Sequence, residues 1–159
     1  MTIAGATTYT TPSECEFAMT RVFDAPRELV FAAFTRTEHL PHWMLGPGGW
    51  SMTACEIDLR PAGRWRFAWR HDDGREMELS GEYREIVPPE RLVQTESWGG
   101  GWPETLNTLT LIEEDGLTTM TQTILYASRE ARDAALHTGM KDGASLSFDR
   151  LGSYLESLS

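Results

Sequence analysis

The stretch GMKDGASLSFDRLGSYLESL, residues 139–158, sets Met140, Ala144, Phe148, Leu151, Leu155 and Leu158 at steps of three and four. That spacing predicts one apolar face of a long amphipathic helix. A lone helix is marginal in water, so the rest of the chain has to cover the stripe. Gly139 and Gly143 interrupt the first turns, where each glycine costs about 1 kcal/mol relative to alanine. They are read as keeping the helix thin above a space that its own side chains do not fill.

The cover comes from upstream. Residues 51–59, 63–71, 75–86, 92–98, 105–113 and 118–126 follow a period of two, with turn signals at Asp72-Asp73-Gly74 and Asp115-Gly116 and a break at Pro88-Pro89. Residues 15–23 predict an earlier strand. Asp24 then reads as an N-cap and Pro26 as a first-turn residue of a helix carrying Leu29, Val30, Ala33 and Phe34. A second short helix is expected from Thr37 to the glycines around Pro47, and a lead-in helix capped by Ser128 over 128–137. The expected fold class is α+β, with about seven strands in β-α-α-β6-α order. A meander of that length has to curl, and the C-terminal helix is the apolar partner for its concave face. Residues 1–14 are expected to be a flexible tail and residues 15–159 a single domain.

With 159 residues, 40% of them apolar, the chain can build one sizeable core. The formal charge of −10 argues against nucleic acid and anionic membrane surfaces, which require a basic footprint. Cys15 and Cys55 lack the spacing of a zinc or redox site. No apolar run reaches the roughly 20 residues that span a bilayer, and the Thr-rich start lacks the pattern of a signal peptide. The expectation is a cytoplasmic protein without membrane insertion; its oligomeric state, monomer or homodimer, is left open.

Residues 21–31 (RVFDAPRELVF), 58–63 (DLRPAG), 81–92 (GEYREIVPPERL) and 139–151 carry a resemblance to a known family. The chain resembles the START-like, birch-pollen-allergen-like (SRPBCC) helix-grip superfamily, and within it the bacterial branch related to the activator of the 90-kDa heat-shock chaperone ATPase. The resemblance covers about residues 16–158. Ala62 stands where the family pattern has the first of two glycines. The resemblance implies a helix-grip fold and a small apolar or amphipathic ligand held between sheet and long helix, with no cofactor. It also implies that chaperone activity accompanies an additional N-terminal domain, which this sequence does not include, so a co-chaperone role is the weaker reading.

All six tryptophans lie between Trp43 and Trp102. On the strand 63–71, Trp65, Phe67 and Trp69 share one face, an aromatic wall that either fills the core or lines a cavity. Trp43, Trp98, Trp102 and Phe148 belong with that wall, and Met52, Met77, Met120 and Met140 are adaptable fillers in either case. Gly143 and Ala144 mark the expected opening beneath the helix. On the strand 92–98, Gln94 and Glu96 share a face with Leu92 and Trp98, and so point inward unless the strand turns Val93 to the core instead. An inward carboxylate and amide are costly in a dry core and suit a ligand.

Glu96 with Tyr83 is the weak candidate for acid–base chemistry, and Glu56 is a lesser one of the same kind. No nucleophile elbow, phosphate loop or dinucleotide loop is present in the sequence. His39 and His42 stand three apart without a third ligand, so no metal is expected. The run Gly99-Gly100-Gly101 between Trp98 and Trp102 reads as a mobile rim over a pocket mouth.

Overall fold

The computed structural model describes residues 5–99 and 101–158. Of the stretches read above, residues 1–4 of the tail and Gly100 of the rim lie outside the described residues. The elements run β1 (Thr8–Thr10), β2 (Glu16–Phe23), α1 (Arg27–Thr35), a 3-10 turn (Leu40–His42), β3 (Trp50–Ile57), β4 (Arg64–His71), β5 (Glu76–Val87), β6 (Arg91–Glu96), β7 (Thr105–Glu114), β8 (Leu117–Leu125), α2 (Arg129–Leu136) and α3 (Met140–Leu158). One antiparallel sheet has the order β1-β2-β8-β7-β6-β5-β4-β3. The six-strand meander is therefore continued by β2 docking on β8.

The α+β sheet around a long last helix is the expected architecture. Phe148, Leu151 and Leu155 of α3 are buried with Phe17, Phe23, Trp43 and Met120 in one core. The stripe ends short of its predicted length, since Leu158 is exposed. Beside it, Arg21 on the concave face is buried and pairs with Asp149 of α3 at 2.6 Å. Ser128 caps α2 as expected, accepting a bond from the Ala131 N–H at 3.0 Å.

Four local expectations are corrected. The tail contains an eighth strand, β1, paired with β2. Its Tyr9 stacks on Phe17 and donates to the Lys141 carbonyl at 3.0 Å, so it ties the start of α3 to the sheet edge. Asp24 does not cap α1. Pro26 occupies the cap, and the Glu113 carboxylate accepts the free Arg27 N–H at 2.7 Å from across the sheet. The helix expected after Thr37 shrinks to the 3-10 turn, where Pro41 supplies no N–H to continue it.

Gly143, finally, does not open a space beneath α3. A Cβ there would lie 3.5 Å from the Pro47 ring and 3.9 Å from the Gly46 Cα, while the Gly46 N–H donates to Ser147 at 2.9 Å. The loop after the 3-10 turn packs over Gly143 at ordinary contact distance. Gly139 serves a different need, adopting φ +81° at the break between α2 and α3.

Ala62 sits in the turn before β4 with φ +68°, a left-handed conformation that costs an L-residue about 1–2 kcal/mol. Ala62→Gly relieves that cost but adds freedom to the unfolded chain worth about 0.4–1 kcal/mol. The net expectation is a stabilisation of about 0.5–1 kcal/mol, read as a shift in urea midpoint at constant slope; an unchanged or lower midpoint counts against strain at this turn.

Candidate functional site

The concave face carries its side chains in rows set by the strand register. One row runs Tyr83, Gln94, Asn107, Ile124 and Phe17 across five strands. The next runs Leu92, Leu109, Gln122 and Met19. Glu96 faces Thr105 on the opposite side of the first row. On β4, Trp65, Phe67 and Trp69 are all buried.

Where these rows meet is a cavity of about 50 Å³. Its walls are Trp65, Phe67, Leu79, Tyr83, Leu92 and Leu109. Phe34 of α1 and Met44 of the following loop complete the lining, together with the polar side chains of Gln94, Glu96, Asn107 and Gln122. None of the lining residues comes from α3, so the cavity lies under α1 and the 44–49 loop rather than under the C-terminal helix. Trp43 is the physical reason. Its ring packs on Phe34 with centroids 4.8 Å apart and on Phe148 at 6.2 Å, so it lies between α1 and α3.

Of the residues singled out from sequence, Trp65, Phe67, Gln94, Glu96 and Tyr83 are brought together around the cavity. Trp43, Met120 and Phe148 are core residues, and Trp69 packs beside the cavity with its indole N–H donating to the Met44 carbonyl at 2.7 Å. Met52, Met140, Gly143 and Ala144 are half-buried away from it. Met77, Trp98 and Trp102 are exposed, Trp98 lying stacked on Trp69 at 6.3 Å. Asn107 and Gln122, like Phe34, Met44, Leu79, Leu92 and Leu109, line the cavity without belonging to the site residues that the sequence points to. The signal for Asn107 and Gln122 was the alternation itself, which groups Asn107 with Leu109 and Leu111 and groups Gln122 with Met120 and Ile124.

The polar set is only partly satisfied from within. The Asn107 amide donates to Thr105 at 3.1 Å and accepts from Gln122 at 3.5 Å. One Glu96 oxygen accepts from the Trp98 indole at 3.1 Å. Surrounding protein atoms strip water from the half-buried Glu96 carboxyl, and this desolvation pushes its pKa up to about 7 despite the opposing Trp98 bond. Burial, with the nearby Glu96 charge, pushes Tyr126 up to about 12. Burial also raises Tyr83, keeping its phenol protonated at any ordinary pH.

The histidines have structural partners. His39 shares a hydrogen bond of 2.6 Å with the Tyr154 hydroxyl, and His42 stacks on the same ring at 4.8 Å. Among the described residues no group of three or more His, Cys, Asp or Glu side chains could hold a metal. Nor is any of their helices long and apolar enough to cross a membrane.

Comparison with known proteins places this architecture. The family model described as "Activator of Hsp90 ATPase homolog 1-like protein" matches residues 24–156. A crystal structure of a protein from Rhodobacter sphaeroides is similar, with 31% identity, TM-score 0.89, and coverage of 96% of this chain and 99% of that one. A crystal structure of a protein from Mycobacterium smegmatis has 24% identity and TM-score 0.84, covering 95% of this chain and 97% of that one. One from Nitrosomonas europaea has 22% identity and TM-score 0.82, covering 91% and 96%. The last two are alike in fold. No curated protein matches.

Proposed function

The chain belongs to the family of Activator of Hsp90 ATPase homolog 1-like proteins, and on that premise we propose that it holds a small apolar or amphipathic molecule in the cavity beneath Phe34 and Met44. The observation that carries this reading is four polar side chains, Gln94, Glu96, Asn107 and Gln122, gathered among aromatic and leucine walls around one cavity. A sheet centre that served packing alone would place leucine or valine at those positions. At about 50 Å³ the space is below the roughly 300–1,000 Å³ of typical small-molecule pockets. Entry of a ligand therefore requires the lining to yield, and Met44, unbranched and half-buried, is the lining residue best suited to it.

The test is a panel of small apolar and amphipathic compounds followed by tryptophan emission and melting temperature. A true ligand at a hundred times its Kd stabilises by about 2.7 kcal/mol, a shift of several degrees for a domain of this size. Leu109→Phe, which fills the cavity, is expected to weaken such a ligand at least tenfold while the variant stays folded. A panel that shifts neither signal, or a ligand indifferent to Leu109→Phe, overturns the reading.

Glu96 supports a second reading from the enzyme class. A carboxyl that titrates near neutrality beside a cavity is suited to take or give a proton. Tyr83, held protonated, suits only the role of donor. Turnover of a bound compound that survives both Glu96→Gln and Tyr83→Phe removes this assignment.

A further inference from the structure

The polar side chains of the cavity are not interchangeable, and what they leave unbonded describes the molecule that fits them. The Trp65 indole N–H is buried without a partner among the described residues, on a side chain that is 2% exposed and lines the cavity. The Gln94 amide, directly across from Asn107, has no hydrogen bond to the described residues. One oxygen of Glu96 and the carbonyl of Gln122 are also open, since Glu96 is engaged through its other oxygen and Gln122 through its nitrogen. Donors and acceptors are thus both on offer within one small volume. Among the described residues no Lys, Arg or His lines it.

We propose that the cavity recognises the polar end of its ligand, and that it selects an uncharged head able both to donate and to accept a hydrogen bond, a hydroxyl or a primary amide, while rejecting anions. The inference rests on the cavity being the binding site. An apolar ligand without a head leaves Trp65, Gln94, Gln122 and Glu96 unbonded and displaces whatever water serves them, forfeiting those hydrogen bonds. A carboxylate meets no counter-charge, and where Glu96 is ionised it stands beside a like charge that repels it. A hydroxyl satisfies the free Glu96 oxygen as donor and the Trp65 or Gln94 N–H as acceptor, with no charge to desolvate. The aromatic and leucine walls then receive the apolar body.

The experiment compares four probes of equal chain length, 1-hexanol, hexanamide, hexanoate and hexane, by tryptophan emission and by the indole N–H resonances of the ¹⁵N-labelled protein. A Trp65→Phe variant identifies the Trp65 resonance. The expected result is that hexanol and hexanamide bind at least tenfold more tightly than hexane and hexanoate and move the Trp65 N–H downfield. In Gln94→Leu the preference for hexanol over hexane shrinks, and in Glu96→Gln the penalty on hexanoate shrinks. Two separate variants keep the test valid should one fail to fold. Hexane binding as tightly as hexanol, or hexanoate binding most tightly, overturns head recognition and leaves the binding site standing. Failure of all four probes to bind, with the wider panel also silent, overturns the binding site and this inference with it.

Discussion

Gly81→Ala is expected to destabilise the protein by about 3 kcal/mol or more, at the upper end of what overpacking costs. Gly81 lies in β5 directly opposite Trp65. A Cβ built there would stand 1.9 Å from the Thr95 carbonyl oxygen and 2.8 Å from Cζ2 of the Trp65 ring. The first obstacle is backbone, so no side-chain rotation relieves it. β5 is the strand that joins the two halves of the sheet, pairing with β4 on one side and β6 on the other. At Gly81 it approaches β6 closely enough that the Glu82 N–H donates to the Thr95 hydroxyl at 2.9 Å. Glycine inside a strand is unfavourable unless a bend or a close approach requires it, and here both the approach and the indole lying over the missing side chain do. The measurement is chemical denaturation of the variant. A loss below about 1 kcal/mol would mean that β5 and β6 can separate without penalty, and that Trp65 is not held in place from below.

How far the sequence alone reaches is visible at particular residues. The meander was legible because one face of β4 carries Trp65, Phe67 and Trp69 while Arg64, Arg66 and Arg70 occupy the other, so period two is unmistakable. Turns were legible where left-handed backbone demanded glycine, as at Gly74 and Gly116. β1 was not, because three residues with one half-buried Tyr9 carry no periodicity, and their order comes from long-range contacts to Phe17 and Lys141. The cap of α1 was misread for a similar reason, since Glu113 reaches it from a hairpin far along the chain.

The site was half legible. For β6 the alternation admitted two orientations because Leu92 and Val93 are both apolar, and the structure buries both, along with Thr95. A strand covered on both faces loses the contrast on which the pattern depends. The position of the cavity was not legible at all. It depends on Trp43 packing between Phe34 and Phe148 and on the Pro47 loop packing against α3 at Gly143. Both are contacts between elements that sequence spacing does not relate. Gly143 of α3 therefore reports where a loop crosses the helix, and the polar residues of β6, β7 and β8 report where the space is.

Glu96→Gln is expected to raise stability by about 2–3 kcal/mol at pH 8 and to change it little near pH 4.5. Burial lifts the folded-state pKa of Glu96 from an ordinary 4.5 to about 7. Between those values the folded protein holds a proton on Glu96 that the unfolded chain has lost, so folding is favoured by acid at this position. The contribution is fully present below pH 4.5, falls as pH rises toward 7, and is flat above. At about 1.36 kcal/mol per pKa unit the full excursion is of order 3 kcal/mol. Glutamine stays neutral throughout and its carbonyl can still accept the Trp98 indole N–H, so the substitution removes the charge and little else. Asp73 and Glu78, whose pKa values are lowered by bonding to Arg75 and Arg66, titrate with the opposite sign on the surface. They do so in both proteins and cancel in the difference. Urea unfolding of the two proteins from pH 5 to pH 8 gives that difference directly; a gap that stays constant across the range would place the Glu96 carboxyl in water. If the gap opens as expected, the native sequence carries a carboxyl that weakens the fold at neutral pH where an amide would not. A residue of that kind is explained by what enters the cavity and meets it, since the fold itself gains nothing from its charge.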